Sequence, residues 1–453
     1  MTIKTTLFYV ALVLAIVHGR ISANERTAIP TDLYTLYAEA ITQDPELKVA
    51  RAAQKAASEA LPQARSGLLP DLSISAEQRR YEQRTKAVEG FSSEREDHYS
   101  RQTLAASLNQ ALFDLPAWYR YQAGKSLKRE AAAEFTNSLQ SLGERLVTAY
   151  FRVLRAQSSL GARQSEQQAL QRQQAQVERQ LEAGIASRID LLEVRAEKSR
   201  VSMELVNARS ELTQSLRALK AITGLTVHSV QPLQRLPAKA TIGRIAELSE
   251  KARSANPQLT LAQQKTLTAR ENARAAKSAH APTLSLELSA QRDLSDSPDV
   301  VPSGYGDLTT DTASIAVRLE LPLYSGGRTS SQSRERQHRL EQARQNLRLR
   351  RTDILNELES NFEKLQSTRQ AISAGQQAVD ARKLALKAAQ KGQKAGIRDL
   401  VDILRARREQ FAAIDVLNDA RYEYVTTLAR IYRLIGGLDE TRIRQINTWL
   451  AHK

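Results

Sequence analysis

The residue types that could carry out catalysis or bind a metal are too few and too scattered to form a site. The chain contains no cysteine, which excludes disulfides, thiolate metal ligands, cysteine nucleophiles and lipid attachment through an N-terminal cysteine. No two of the six histidines have the spacing of metal ligands on one helix. They are His18, His98, His228, His280, His338 and His452. The segment Ser325-Gly326-Gly327-Arg328 lacks the Gly-Lys-Ser/Thr ending of a phosphate-binding loop. The sequence therefore predicts no enzyme activity, no cofactor and no metal.

A long helical hairpin at residues 330–436 dominates the organisation of the chain. One apolar seam of its first helix recurs every seven residues, at Leu358, Leu365, Ile372, Val379 and Leu386. Such a period keeps one seam facing a partner helix along its whole length, as in a coiled coil. Residues 330–395 would span roughly 100 Å at ~1.5 Å per residue. The turn Ala395-Gly396-Ile397 then reverses the chain.

The hairpin occurs twice. A shift of about 212 positions superimposes several anchors of the first half on the second. The matched pairs are Asp44-Pro45 with Asn256-Pro257, Pro70 with Pro282, Ala183-Gly184-Ile185 with Ala395-Gly396-Ile397, Asp190 with Asp402, and Gly224 with Gly436. We therefore predict a tandem duplication of two similar halves.

The composition suits long helices that pack through narrow seams, because only 41% of the residues are hydrophobic and 5% aromatic. The net charge of +16 permits contact with anionic lipid, acidic cargo or nucleic acid. The simpler interpretation is a solvated helix surface rich in lysine and arginine.

The N-terminus predicts export. Lys4 precedes an apolar run at residues 7–17, and Ile21-Ser22-Ala23 supplies a small residue at a cleavage point. This run is too short for a membrane-spanning helix, which needs about 20 residues. We expect a signal peptide that ends at Ala23.

Apolar residues alternate with polar residues in four segments, which indicates strands with one apolar face. The strands are expected at about residues 70–80, 102–113, 282–291 and 313–324. A polar loop is expected between the first two, at roughly residues 79–99. Four strands of this length suit a transmembrane barrel, but barrels close only with ~8 strands or more. Three copies would supply twelve strands. The alternative is a soluble four-stranded sheet with one wet face.

These observations divide the chain into five parts. We predict a signal peptide at 1–23, a first repeat at 24–224 with its hairpin at 118–224, a linker at 225–241, a second repeat at 242–438 with its hairpin at 330–436, and a tail at 439–453.

The order of elements and several short motifs resemble the TolC family of trimeric outer-membrane channels. The motifs are Leu68-Leu69-Pro70, Leu108-Asn109-Gln110-Ala111-Leu112-Phe113-Asp114, Leu319-Glu320-Leu321-Pro322-Leu323-Tyr324-Ser325-Gly326-Gly327, Gly396-Ile397-Arg398-Asp399-Leu400-Val401-Asp402-Ile403-Leu404 and Leu417-Asn418-Asp419-Ala420-Arg421-Tyr422-Glu423-Tyr424. The resemblance covers roughly residues 31–438.

The resemblance implies a mainly helical fold with a β-barrel portion. A homotrimer would form a 12-stranded barrel among the lipids of the outer membrane of a Gram-negative bacterium, above an α-helical barrel in the periplasm. A periplasmic adaptor and an inner-membrane transporter, ABC-type or proton-driven, would dock below it for drug efflux or type I protein secretion. No nucleic-acid partner is implied, and the sequence leaves the cargo open among drugs, metals and polypeptides.

The family also carries acidic residues at a pore gate near the second hairpin tip. Asp402 matches one of these positions, whereas Arg405 replaces the second acid; Asp190 and Glu193 form the equivalent pair in the first half. A ring of Asp402 carboxylates would favour cations, while Arg405 and Arg398 oppose this or pair with Asp402 or Glu193 and lock the closed state. Ordinary solvated charges at a helix tip are the alternative.

The small turns at Gly184-Ile185 and Gly396-Ile397 match the hairpin tips where the family meets its adaptor. Glycine permits the positive φ of a tight reversal and the close approach of another backbone. The alternative is that each glycine serves only to reverse the chain.

A rival function of a different class is an exported, basic coiled-coil protein with a structural or interaction role. The helices and the charge fit it, but the alternating strands do not.

Overall fold

The computed structural model describes residues 31–86, 94–234, 236, 242–296 and 308–450. The predicted signal peptide lies outside them. The first half contains α1 (Leu33–Gln43), α2 (Pro45–Ser58), α3 (Ala60–Ser66), β1 (Asp71–Lys86), β2 (Glu94–Phe113), α4 (Leu115–Glu182) and α5 (Arg188–Thr223). The second half contains α6 (Ile245–Ala255), α7 (Pro257–Ser278), β3 (Thr283–Ser295), β4 (Leu308–Glu320), α8 (Arg328–Lys394), α9 (Leu400–Leu434) and α10 (Glu440–Asn447).

The helix starts explain why the two halves look alike. Asp44 caps α2 by accepting a hydrogen bond from the Leu47 amide at 2.8 Å, and Asn256 caps α7 through the Gln258 amide, also at 2.8 Å. Proline follows each cap at the first helical position, where its missing N–H costs nothing. The same sequence device therefore begins the corresponding helix in each half.

The four strands form one antiparallel sheet in the order β1-β2-β3-β4. Across one row of this sheet the paired residues are all apolar: Leu72, Leu108, Leu288 and Ile315. The next row is entirely serine: Ser73, Ser107, Ser289 and Ser314. Serine side chains hydrogen-bond across β1–β2 at 2.8 Å and across β3–β4 at 2.7 Å. The predicted alternation of an apolar and a polar face is confirmed.

The predicted loop at residues 79–99 is wrong. The structure continues β1 to Lys86 and begins β2 at Glu94, so that Arg79 pairs with Arg101 and Tyr81 stacks on Tyr99 at 4.7 Å between ring centroids. This part of the sheet carries polar side chains on both faces. The hydrophobic alternation that reveals a strand in sequence is therefore absent there.

The predicted strand at 313–324 is displaced. β4 runs from Leu308 to Glu320, and residues 321–324 lie outside it. Pro322 has no N–H to donate to a strand ladder, which accounts for the early end.

The largest core in the described residues lies at mid-height of the long helices, where α1 and α6 pack against them and α10 packs on α1. Tyr150 and Leu146 of α4 are fully buried there, as is Leu428 of α9. The segment predicted as a linker contributes to this core, because Val230 is buried and pairs with Thr31 in a parallel bridge.

Gly436 makes a close backbone contact beside this core. Its φ is +72°, and a Cβ at this position would lie 2.0 Å from the carbonyl oxygen of Ala255. We expect Gly436→Ala to destabilise the helical part by about 2–4 kcal/mol, since it combines left-handed strain with a backbone overlap. Gly184→Ala is the matched control, because its φ is +74° and nothing lies within 4 Å. Thermal unfolding followed by circular dichroism measures both; equal losses would contradict the overlap argument.

Candidate gate and hairpin tips

The two hairpin tips have the same backbone geometry. At the first tip the amides of Ile185 and Ala186 donate to the carbonyl of Gln180 at 2.8 and 3.1 Å. At the second, the amides of Ile397 and Arg398 donate to the carbonyl of Gly392 at 2.9 and 3.3 Å. These bonds satisfy carbonyls at the end of a helix and require a left-handed residue at the turn.

Glycine supplies that residue at both tips. Gly184 has a φ of +74° and Gly396 a φ of +73°, and no heavy atom lies within 4 Å of a Cβ built on either. The isoleucines that follow are solvated, Ile185 at 77% and Ile397 at 80% exposure. Each tip therefore needs glycine for its conformation and also leaves room for another backbone to approach.

Of the predicted gate residues of the second hairpin, Asp402 and Arg405 lie in the first two turns of α9, and Arg398 directly precedes the cap of that helix. Asp399 caps the helix by accepting from the Asp402 amide at 2.8 Å. The Asp402 carboxylate in turn accepts a hydrogen bond from Arg398 at 3.3 Å. Arg405 is exposed, and no ion pair joins it to another residue within the described ranges. The structure thus brings Arg398 to Asp402 and leaves Arg405 apart.

The two faces of α9 differ sharply at this end. Leu400 and Leu404 are buried in a second, smaller core together with Leu170, Val177, Val194 and Val201 of α4 and α5. Asp402 and Arg405 are three positions apart on the helix face opposite these leucines, and Arg398, just before the helix, pairs with Asp402. The charged face is therefore the one turned away from the first hairpin.

In the first hairpin, Asp190 has a structural task. Its carboxylate accepts from the Ser187 amide at 2.8 Å, while the Asp190 amide donates to the Ser187 hydroxyl at 3.1 Å, which forms a capping box. Glu193, one turn further along, is half-buried. The Asp190 carboxylate is thus hydrogen-bonded to Ser187 at the start of α5.

Sequence reasoning missed a cluster of charges buried between the hairpins. Arg163 of α4 contacts Glu166 at 2.6 Å, Glu204 of α5 at 3.2 Å and Asp415 of α9. Arg200 of α5 contacts Glu166 from the other side at 3.3 Å. The Glu166 side chain is only 1% exposed. This cluster joins both hairpins of one chain, since α4 and α5 belong to the first and α9 to the second.

Burial dominates the electrostatics of the cluster. It raises the pKa of Glu166 and of Asp415 above their ordinary values, although Arg163 opposes the rise in both. Burial lowers the pKa of the nearby Arg407. The sequence did carry one signal, because Arg163 continues the seven-residue seam of Ala156, Leu170 and Val177, all buried. A charge at a seam position indicates a specific polar partner.

No group of three or more histidine, aspartate or glutamate side chains could hold a metal ion in the ranges that the structure covers. Within the same ranges, no helix combines the length and the apolarity that crossing a membrane requires.

Comparison with known proteins gives one family. The model of the family described as outer membrane efflux protein matches residues 36–225 and 248–437. Over 425 residues the chain is 30% identical to outer membrane protein TolC of Vibrio cholerae, covering 92% of this chain and 94% of the relative. It is 26% identical to the alkaline protease secretion protein AprF of Pseudomonas aeruginosa, over 90% of this chain and 85% of the relative. Among solved structures, the Campylobacter jejuni CmeC outer membrane channel superimposes with a TM-score of 0.78 at 17% identity, covering 92% of this chain and 90% of that one.

Proposed function

The chain belongs to the outer membrane efflux protein family, and from this premise we propose that three copies assemble into one duct. It is an outer-membrane protein that extends into the periplasm, and it serves as the exit duct of an efflux or type I secretion system. Such a system supplies a transporter and an adaptor as partners. In the trimer, twelve strands form a barrel among the outer-membrane lipids, and the long helices form a tunnel below it.

The observation that best supports a trimer is the open sheet with one apolar face. Leu72 and Ile315 are 68% and 73% exposed in a single chain. Within the described residues, β1 and β4 each pair on one side only. A membrane does not tolerate unpaired strand edges, and four strands cannot close a barrel. Three sheets joined edge to edge satisfy both constraints.

Fractionation of cells followed by cross-linking tests this assembly. We expect the chain in the outer membrane as a heat-modifiable oligomer of three subunits. A monomer in the soluble periplasmic fraction would instead support the rival coiled-coil function.

The charged face at the start of α9 forms the gate in this proposal. Three copies of Arg398, Asp402 and Arg405 would surround the lower end of the tunnel, with Asp190 and Glu193 of the first hairpin beside them. The pair Arg398–Asp402, at 3.3 Å, offsets part of the negative charge that Asp402 would present to the pore. Arg405 has no ion-pair partner in the described part of its own chain, so it is available to a neighbouring subunit. Rings of charge at such a constriction set ion selectivity.

The hairpin tips form the adaptor-docking surface in this proposal. Both tips combine an exposed isoleucine with an uncrowded glycine. Gly184 with Ile185, and Gly396 with Ile397, give each subunit two similar contact points. An adaptor could therefore bind both halves of the duplication in the same manner.

Gly396→Trp tests the docking surface. We expect it to abolish transport and leave the trimer intact, because the bulky side chain occupies space that is empty in the isolated chain. Gly396→Ala is the strain-matched control: it carries the same left-handed penalty of about 1–2 kcal/mol without the bulk, and transport should persist. Drug-susceptibility or secretion assays, with cross-linking of the oligomer, measure both. Loss of the trimer in Gly396→Trp would mean that the glycine is structural only.

We propose no catalytic activity for the chain, so that the energy for transport comes from the transporter. The named relatives are outer-membrane and secretion proteins rather than enzymes.

A further inference from the structure

A cavity of about 340 Å³ lies between α4 and α7, close to the sheet. Three arginines, Arg129 of α4 with Arg270 and Arg274 of α7, contribute to its lining together with the aromatic residues Trp118 and Tyr119. No part of the gate or of the hairpin tips reaches it. Its composition, cationic and aromatic, is unlike that of the apolar cores.

One buried carboxylate orients two of these cations. Glu271 is 8% exposed and accepts hydrogen bonds from Arg270 at 3.0 Å and from Arg274 at 3.2 Å. Arg129 has no carboxylate partner in the described residues and donates only to the carbonyl of Lys125, at 3.4 Å. Three guanidinium groups against one carboxylate leave the cavity with a positive excess, which favours an anionic ligand.

The cavity lies where the sheet meets the helices. Trp118 is in the first turn of α4, directly after β2, and Arg274 is near the end of α7, directly before β3. Large apolar side chains are exposed at the same junction, among them Phe113, Leu323 and Tyr324. Tryptophan and tyrosine concentrate where a membrane meets water, and headgroups occupy about 5–8 Å beyond the hydrocarbon on each side. Trp118, about one helical turn from the end of β2, falls in that zone, and Arg274 lies about one turn from the sheet end of α7.

The cavity opens on the outer side of the proposed tunnel. Gly143, Tyr150 and Gln157 of α4 are spaced by seven residues, and each contacts the layer of α1, α10 and residues 230–231. Inside the proposed tunnel this layer would block the passage. We therefore place it on the outer surface of the tunnel. Gln122 and Arg129, which line the cavity, continue the same seven-residue register. A seven-residue period keeps to one face of a helix in a coiled coil.

We propose that this cavity binds the phosphate-bearing headgroup of an anionic phospholipid from the periplasmic leaflet of the outer membrane. The proposal rests on the membrane location given under the proposed function. Arg129, Arg270 and Arg274 hold the phosphate, while Trp118 lies at the level of the headgroup and upper acyl chain. Basic pockets at this depth recognise anionic headgroups in membrane proteins. The site would fix the height of the duct in the membrane.

The test titrates the purified full-length oligomer in detergent with short-chain phosphatidylglycerol and counts bound lipid by native mass spectrometry. Phosphatidylcholine and inorganic phosphate are the comparison ligands. We expect phosphatidylglycerol to bind in preference to both. In Arg270→Gln/Arg274→Gln its Kd should rise about thirtyfold, since each arginine near the headgroups contributes about a factor of five.

Two further double variants serve as controls for this result. Arg209→Gln/Arg217→Gln removes the same charge from exposed positions of α5 and should leave the Kd within about twofold of the wild type. Arg270→Lys/Arg274→Lys keeps the charge beside Glu271 and should retain most of the affinity, which separates lost binding from misfolding.

Three outcomes would overturn the site. They are an unchanged Kd in Arg270→Gln/Arg274→Gln, an equal loss in the α5 control, and displacement of the lipid by inorganic phosphate at matched concentration, which would identify a site for a soluble anion. Channel conductance is measured on the same preparations. A wild type that conducts but lacks lipid preference refutes only the lipid site, whereas a wild type without conductance refutes the proposed function.

Discussion

Arg163→Ala is expected to loosen the second hairpin from the first and to destabilise their contact by about 3–5 kcal/mol. Removal of one partner of a buried ion pair has this effect because the remaining charge stays buried without compensation. Here one substitution deprives Glu166, Glu204 and Asp415 of a shared cation. Glu166 would keep only the longer contact with Arg200, at 3.3 Å.

Hydrogen–deuterium exchange on peptides covering residues 408–420 of α9 measures the loss. We expect the protected amides to exchange at least about a hundredfold faster in the variant, since local opening sets their rate. The matched control is Arg155→Ala. Arg155 also joins α4 to α9, through Asp419 at 2.8 Å, but the two side chains are 53% and 55% exposed. Exposed pairs contribute about 0–1 kcal/mol, so its exchange should change little. Equal acceleration in both variants would contradict the role of burial.

The raised pKa values of the two carboxylates predict how the stability of this cluster depends on pH. Glu166 and Asp415 bind protons more tightly in the folded chain than in the unfolded one. Their contribution to stability is therefore greatest at low pH and falls as the pH rises through the raised values. The cluster is held against a desolvation cost, so replacement of three of its side chains by apolar ones, Arg163→Met/Glu166→Met/Asp415→Leu, should recover most of the stability lost in Arg163→Ala.

Periodicity predicted the long elements because each contains one repeating face. The seam of α8 includes Leu358 and Leu365, which are buried as expected, and the duplicated caps Asp44 and Asn256 begin corresponding helices. The strands were predicted where apolar and polar residues alternate, as around the row of Leu72, Leu108, Leu288 and Ile315. Towards the far ends of β1 and β2, where Arg79 pairs with Arg101, both faces are polar, so that only the backbone pairing identifies the strands.

The gate, the hairpin tips and the buried charge cluster were harder to predict from the sequence than the fold. The positive φ of Gly184 and Gly396 followed from local sequence, because a short turn between helices needs a left-handed residue. The cluster around Arg163 did not follow, since its members come from three helices that are distant in sequence. Pairing of Arg405 with Asp402 or Glu193 stays a prediction, because among these residues the described part of the chain forms only the pair Arg398–Asp402.

Arg405→Ala and Asp402→Ala are expected to raise the single-channel conductance severalfold and to shift ion selectivity in opposite directions. Each removes a charged side chain from the face of α9 that, in the proposed trimer, surrounds the narrowest part of the tunnel. Per subunit, this face carries the cations Arg398 and Arg405 and the anion Asp402. Arg405→Ala leaves one cation paired with one anion, which favours cations relative to the wild type. Asp402→Ala leaves two cations and favours anions.

Planar-bilayer recordings of the purified oligomer give both quantities, the conductance directly and the selectivity from the reversal potential in a salt gradient. The control is Arg421→Ala, which removes the same charge as Arg405→Ala from a position further along α9 from the hairpin tip, where the side chain donates to Gln376 of α8 at 3.1 Å. It should leave both quantities near the wild type. If Arg421→Ala shifts the reversal potential as far as Arg405→Ala does, selectivity reflects total charge rather than a gate on this face. If every variant conducts like the wild type, the constriction lies elsewhere in the tunnel, and the pair Arg398–Asp402 only stabilises the start of α9.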